Sequence, residues 1–154
     1  MPLKRHPALI PLSHAHRDAL FAANLIRTGG PVYPGYPVEV NGKRDFLVSY
    51  LRTKWQAHVQ LEENLLFPFL GTLRPAFREM QNRLVEEHRE LEVLLDHLLA
   101  ASQAQTEAHL NEISQLMVRH VRYEERTVFE WIQDHLPEDQ LEELGKRIRD
   151  WPKE

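Results

Sequence analysis

The chain has 154 residues, enough for one domain whose core takes roughly two-thirds of the unfolded surface out of water. A formal net charge of -4 gives no electrostatic reason to expect nucleic acid as a partner, and the absence of cysteine excludes disulfides, thiol nucleophiles and thiolate metal sites. Nine histidines are the conspicuous feature, so any chemistry has to come from nitrogen and oxygen atoms.

Met1 to Leu12 carries Lys4 and Arg5 but is interrupted by Pro2, Pro7 and Pro11, which breaks the apolar run a secretory signal needs. No segment approaches the roughly 20 apolar residues that cross a bilayer. The expectation is a soluble, cytoplasmic protein without a membrane partner. Leu12, Ala15, Ala19, Ala23 and Ile26 recur at helical spacing and predict a first helix from about Ser13 to Arg27, with Ser13 as its N-cap. Thr28 to Gly42 holds three prolines and four glycines and reads as a loop.

A second helix follows from about Arg44 to Leu70 and is expected to stop at Gly71. The third restarts near Leu73 with Pro75 in its first turn, where the missing N–H costs nothing. It continues through Leu84, Leu91, Leu95 and Leu98 and fades between Ala100 and Gln105. The fourth covers about Thr106 to His135, with Leu110, Ile113, Met117, Val121 and Val128 along one side. After Pro137, Leu141, Leu144, Ile148 and Trp151 define a short amphipathic tail helix over about 138–150 that packs outside the bundle. The chain thus reads as one all-α domain over 1–154, an antiparallel up-down four-helix bundle over about 12–135 with a short C-terminal helix.

An internal repeat runs through these helices. His58 to Phe67 reads HVQLEENLLF and His120 to Phe129 reads HVRYEERTVF, both HVxxEExxxF. The helix before each copy carries a counterpart, His16-Arg17-Asp18 and His88-Arg89-Glu90. The chain is therefore two similar helical hairpins.

Residues i and i+4 share one helix face with Cβ atoms about 5 to 6 Å apart, so His58 with Glu62 and His120 with Glu124 are each half of a metal site. Measured from the predicted helix ends, the four histidines lie at depths that agree within about 5 Å, which lets them meet in one layer. Helix axes 8 to 10 Å apart leave room there for one or two ions, and two carboxylates suit a pair about 3.5 to 4 Å apart. Carboxylates buried among leucines need a cation. Six nitrogen and oxygen ligands without sulfur favour iron or manganese over structural zinc, with iron the better choice.

His14 and His16 point about 200° apart on a helix, and the repeat pairs His16 with His88. Glu63 and Glu125 lie a further 100° around from the candidate ligands and are expected to face solvent or support the ligands from outside. His6, His97, His109 and His135 show no metal spacing and read as surface residues. Phe67, Phe129, Trp55 and Trp131 read as core packing that keeps the site dry.

A lone His, HxxxE, a His within EEHREL and a second HxxxE, together with RHPALIPLSHAH and EENLLFP, resemble the hemerythrin-like (HHE cation-binding) domain over nearly the whole chain. The resemblance implies a non-haem diiron centre, oxo- or hydroxo-bridged when oxidised, that manganese or zinc could replace. Glu62 and Glu124 would bridge, and His16, His58, His88 and His120 would be terminal ligands. The implied partners are O2, NO or peroxide. Oxygen-carrying hemerythrins use five histidines where this chain offers four, leaving the fifth place to water, a carboxylate or His14. Members that repair nitrosatively damaged iron centres often carry a cysteine-bearing extension, which this chain lacks.

The expected role is a binding or sensing module for these ligands or for iron status rather than an enzyme, and no catalytic residue is assigned. The alternatives are a diiron oxidase, peroxidase or iron-handling and stress-repair protein, and a helical interaction protein that has lost its metal. Ferritin-type oxidases use mostly glutamates with Glu-x-x-His spacing, unlike the i, i+4 pattern here.

Overall fold

Proline and local capping contacts, more than hydrophobic periodicity, decide where several helices of this chain begin and end. The computed structural model describes residues 4–152, and the expectations on Met1 and Pro2 lie outside them. Among the described residues every regular element is helical. Helix α1 spans Ile10–Ile26 and is led in by a 3₁₀ turn, Pro7–Leu9. Ser13 is not its cap: the turn starts earlier because His6 Nδ1 accepts the Ala8 N–H at 3.0 Å, and Pro7 and Pro11 occupy first-turn positions that have no donor to satisfy.

Helix α2 runs continuously over 40–73, as Val40–Tyr50, Gln56–Leu61 and Phe67–Leu73 joined by π-helical turns at Leu51–Trp55 and Glu62–Leu66. It therefore takes in Gly42 and passes Gly71, which ends nothing. It stops because Pro75 disfavours helical geometry in the residue before it, and Arg74 is extended at φ -142°, ψ 93°. Pro75–Phe77 forms a 3₁₀ turn and α3 occupies Arg78–Ala100, so the third helix begins later than Leu73.

Only Ala101 and Ser102 separate α3 from α4, which covers 103–135 as Gln103–Tyr123, a π turn at Glu124–Val128, and Phe129–His135. Its start precedes Thr106 because Ser102 N–H donates to Gln105 Oε1 at 3.4 Å, half of a capping box. Helix α5 is Glu138–Asp150.

Four long helices form the up-down bundle, with α4 packed along both α1 and α3 and α2 packed along α1. Helix α5 lies across one end against the Pro7–Leu9 turn and the Glu62–Leu66 turn, burying Leu141, Leu144 and Ile148. Each such side chain contributes roughly 1.5 to 3 kcal/mol by leaving water. Gly145 makes the approach possible: a Cβ there would stand 3.2 Å from both Cα and Cβ of Ala8. No described helix is long and apolar enough to cross a membrane.

The apolar core is split into two clusters. One gathers Ala19, Ala23, Leu47, Leu91, Leu110 and Met117; the other gathers Leu12, Phe67, Phe77, Leu84, Phe129 and Leu144. Between them lies a layer in which the buried groups are histidine and glutamate.

Candidate metal centre

The candidate histidines take core-facing heptad positions on their helices. His16 follows Leu12 and precedes Ala19, His88 lies between Leu84 and Leu91, and His120 between Met117 and Glu124, so each inherits a core-facing slot. His16, His58, His88 and His120 are 1 to 5% exposed, and Glu62 and Glu124 are fully buried. The ring centroids of His16 and His58 are 5.0 Å apart, as are those of His88 and His120.

The carboxylates reach across helices as well as along them. Glu62 Oε1 lies 3.3 Å from His58 Nε2 on its own helix and 3.2 Å from His88 Nε2 on α3. Glu124 Oε1 lies 3.0 Å from His16 Nε2 on α1 and 3.5 Å from His120 Nε2 on its own helix. Donor atoms of His16, His58, Glu62 and Glu124 fall within 4.8 Å of one another, and those of Glu62, His88 and His120 do the same. Glu62 belongs to both groups. The structure thus brings all six sequence-selected residues into one layer as two adjacent donor sets with a carboxylate in common.

Left as they stand, these groups are badly satisfied. Nε2 of His58, His88 and His120, both oxygens of Glu62 and Oε2 of Glu124 are buried without a hydrogen-bond partner. Each such atom costs about 1 to 3 kcal/mol, and more where it is charged. A cluster of orphaned nitrogens and oxygens facing one another fits positive ions.

The opposite face of each ring is held from outside. His16 Nδ1 donates to Glu125 Oε2, which also accepts from Ser13 Oγ at 2.9 Å, while Arg5 Nη2 is 3.3 Å from Glu125 Oε1. His88 Nδ1 donates to Glu63 Oε2 at 2.7 Å, and Arg89 holds the other oxygen of Glu63. His120 Nδ1 donates to Glu87 Oε1 at 2.8 Å. Since a carboxylate only accepts, Nδ1 carries the proton in all three rings, and in a neutral ring Nε2 is left with a lone pair toward the layer.

Glu63 and Glu125 therefore take the supporting place rather than the solvent-facing one. The sequence marks Ser13 only as a helix cap and Arg5 only as a charge near the start of the chain, and gives Glu87 no role at the site. The signal for Glu87 is its place one residue before His88, which turns it 100° around α3 toward α4.

Without metal these contacts shift the titration of His16, His88, His120 and Glu62. Burial opposes a positive charge on His16, but Glu124 and Glu125 outweigh it and raise the ring to about 10. In His120 burial is likewise overcome, here by Glu124 and Glu87, giving about 9. His88 is raised against burial chiefly by Glu62. Burial would push the Glu62 carboxyl up, yet the adjacent His58 and His88 carry it well below the usual carboxylate range.

The backbone also changes here. The π turns at Glu62–Leu66 and Glu124–Val128 begin at the two buried glutamates, and the Phe67 and Phe129 N–H groups donate five residues back to the Glu62 and Glu124 carbonyls. Such turns are rare and cluster at functional sites. Phe67, Phe129 and Trp55 are buried; Trp131 is partly buried and stacks on His135 at 4.3 Å. His14 is exposed. His6 pairs with Glu138, His135 caps back to the Trp131 carbonyl, and His97 and His109 sit 6.2 Å apart away from the layer.

A helical bundle that gathers buried imidazoles and carboxylates into one layer of unpartnered nitrogen and oxygen atoms is a metal-binding bundle. The hemerythrin HHE cation binding domain model matches residues 12–132, from α1 to the last turns of α4, and the chain belongs to that family. No curated protein and no solved structure gives a match.

Proposed function

We propose that the chain holds two iron ions between its four helices and uses them to bind or sense a small ligand, O2, NO or peroxide, or the iron status of its surroundings. The observation that carries the reading is the pair of buried donor sets sharing Glu62, which invites two neighbouring ions rather than one. His16 and His58 would hold one ion and His88 and His120 the other, with Glu62 and Glu124 between them. Imidazole and carboxylate without sulfur suit iron, with manganese or zinc as substitutes. When bound, the ion pair supplies one-electron steps and open positions for a diatomic ligand.

The protein's own part is to orient and to exclude. Glu63, Glu87 and Glu125 fix three imidazole rings in the tautomer that presents Nε2 inward. Phe67 and Phe129 cover His88 and His16 and keep bulk water from the layer. Histidines outnumber carboxylates in the layer and pair with them at i, i+4 rather than in the Glu-x-x-His pattern of ferritin-type oxidases, which favours a binding module over an oxidase.

Metal analysis after growth with added iron, with a visible spectrum, tests this. Two irons per chain and a bridged diferric absorption are expected. His58→Ala and Glu124→Ala should lose full loading while His97→Ala keeps it; equal loading in all three would contradict the assignment. Rapid mixing of the reduced protein with O2 then separates a stable adduct, as proposed, from multiple turnovers, which would mark an oxidase.

A further inference from the structure

The two hairpins are equivalent in the layer but not outside it. Under the repeat, residues of α1 map onto α3 with an offset that pairs His16 with His88, and residues of α2 map onto α4 with His58 on His120. On the α3–α4 side the ring of His120 is closed off by four residues. Glu87 accepts its Nδ1–H, Arg83 and Arg119 approach Glu87 at 3.6 and 4.0 Å, and Arg83 lies 3.6 Å over the ring of Tyr123. The same four places on the α1–α2 side hold Ala15, Pro11, Ala57 and Leu61. All four line an open groove of about 650 Å³ that has His58 in its wall and is completed by Ile148, Trp151 and Pro152.

His58 is thereby left with an unanswered group. Its Nδ1 is buried without a partner, and the residue standing where Glu87 stands for His120 is Ala15, whose side chain has no acceptor. Once a metal takes Nε2, Nδ1 must carry a proton and needs an acceptor. Among the described residues the groove is flanked by Arg149 and by Lys54, whose Nζ stands 4.0 Å from Asp18. The volume lies within the range of small-molecule pockets, about 300 to 1,000 Å³.

We propose that this groove binds a small amphipathic monocarboxylate. Its carboxylate accepts the His58 Nδ1–H in place of the missing glutamate, its apolar body lies along Leu12, Leu61, Ile148 and Trp151, and Lys54 and Arg149 favour its charge. The ligand tunes the ion on the His58 side without ligating it. The proposal rests on the metal reading above, because the metal is what makes Nδ1 a donor.

The test is calorimetric titration of the iron-loaded protein with hexanoate, beside acetate, hexanol and the variant Ala15→Glu, with metal content measured on every sample. Saturable hexanoate binding is expected, with hexanol at least about tenfold weaker for lack of the charge-assisted hydrogen bond. Acetate should also be at least about tenfold weaker, for lack of apolar contact. Ala15→Glu, which supplies the acid from within, should keep the parent's metal content and abolish hexanoate binding. Any one of three results overturns the proposal: no saturable binding to a loaded protein, acetate binding as tightly as hexanoate, as direct ligation would give, or undiminished binding to Ala15→Glu. Failure to load metal would overturn the metal reading instead and this proposal with it.

Discussion

The ring of Phe129 lies parallel to that of His16, 5.4 Å between centroids and 18° apart, and Phe67 repeats the arrangement on His88 at 6.2 Å and 13°. The phenylalanine that ends each HVxxEExxxF segment thus shields a histidine contributed by a neighbouring helix. Its amide, meanwhile, closes the π turn begun by the glutamate of its own segment. Phe129→Ala should cost about 3 to 5 kcal/mol in unfolding free energy, because the side chain is fully buried and leaves a cavity. Phe129→Leu should cost less and retain metal. Denaturant melts of the two variants, with metal content, check this.

Glu63 and Glu125 test the outer support. Each accepts from a histidine Nδ1 and is itself held by an arginine, Arg89 or Arg5. Glu63→Gln or Glu125→Gln keeps the shape but loses the charge that steadies the ring. Metal affinity is expected to fall about 10- to 100-fold, as for other carboxylates behind metal-bound histidines. Competition with a chelator reads the affinity, and circular dichroism verifies that the fold is intact.

The metal-free layer is held by charge, and its pH dependence follows. His16 is raised from 6.5 to about 10 and His120 to about 9, so the stabilisation each gives is complete below pH 6.5 and is lost as pH rises through those values. The metal-free protein should therefore melt progressively lower between pH 7 and pH 10. Metal binding must displace the Nε2 protons of the same two rings, so loading at pH 7 releases protons, and the loaded protein should not share the alkaline decline. Calorimetry of loading in buffers of different ionisation enthalpy counts the protons.

Gly145 sets how close α5 comes to the Pro7–Leu9 turn. Gly145→Val would drive side-chain atoms into Ala8, already 3.2 Å from where a Cβ would sit. Overpacking of this kind costs about 1 to 3 kcal/mol, and the melting temperature should drop accordingly. The same change on an exposed face of α5, such as Glu142→Val, should have little effect.

Four helices and six candidate ligands were legible because the layer obeys two periodicities at once, the helical repeat of each rod and the duplication of the hairpin. His58 and Glu62 are neighbours by spacing alone. The cross-helix pairing of Glu62 with His88 and of Glu124 with His16 is not, since it depends on the rotation of each helix in the bundle. Helix ends were misplaced where local chemistry overrides pattern. His6 caps a turn before α1, Gly71 sits within α2, and Pro75, at the first position of the turn that leads into α3, also ends α2 by holding Arg74 extended. The π turns at Glu62 and Glu124 leave no compositional mark. Glu87 lies in the charged run Glu86 to Glu90, where spacing alone does not set it apart from its acidic neighbours.

The central claim is that six side chains from four helices converge on two neighbouring ions. Anomalous diffraction at the iron edge from crystals of the loaded protein measures this directly. Two peaks about 3.5 to 4 Å apart are expected, one beside His16 and His58 and the other beside His88 and His120, with Glu62 between them. A single peak, or peaks away from this layer, would contradict it.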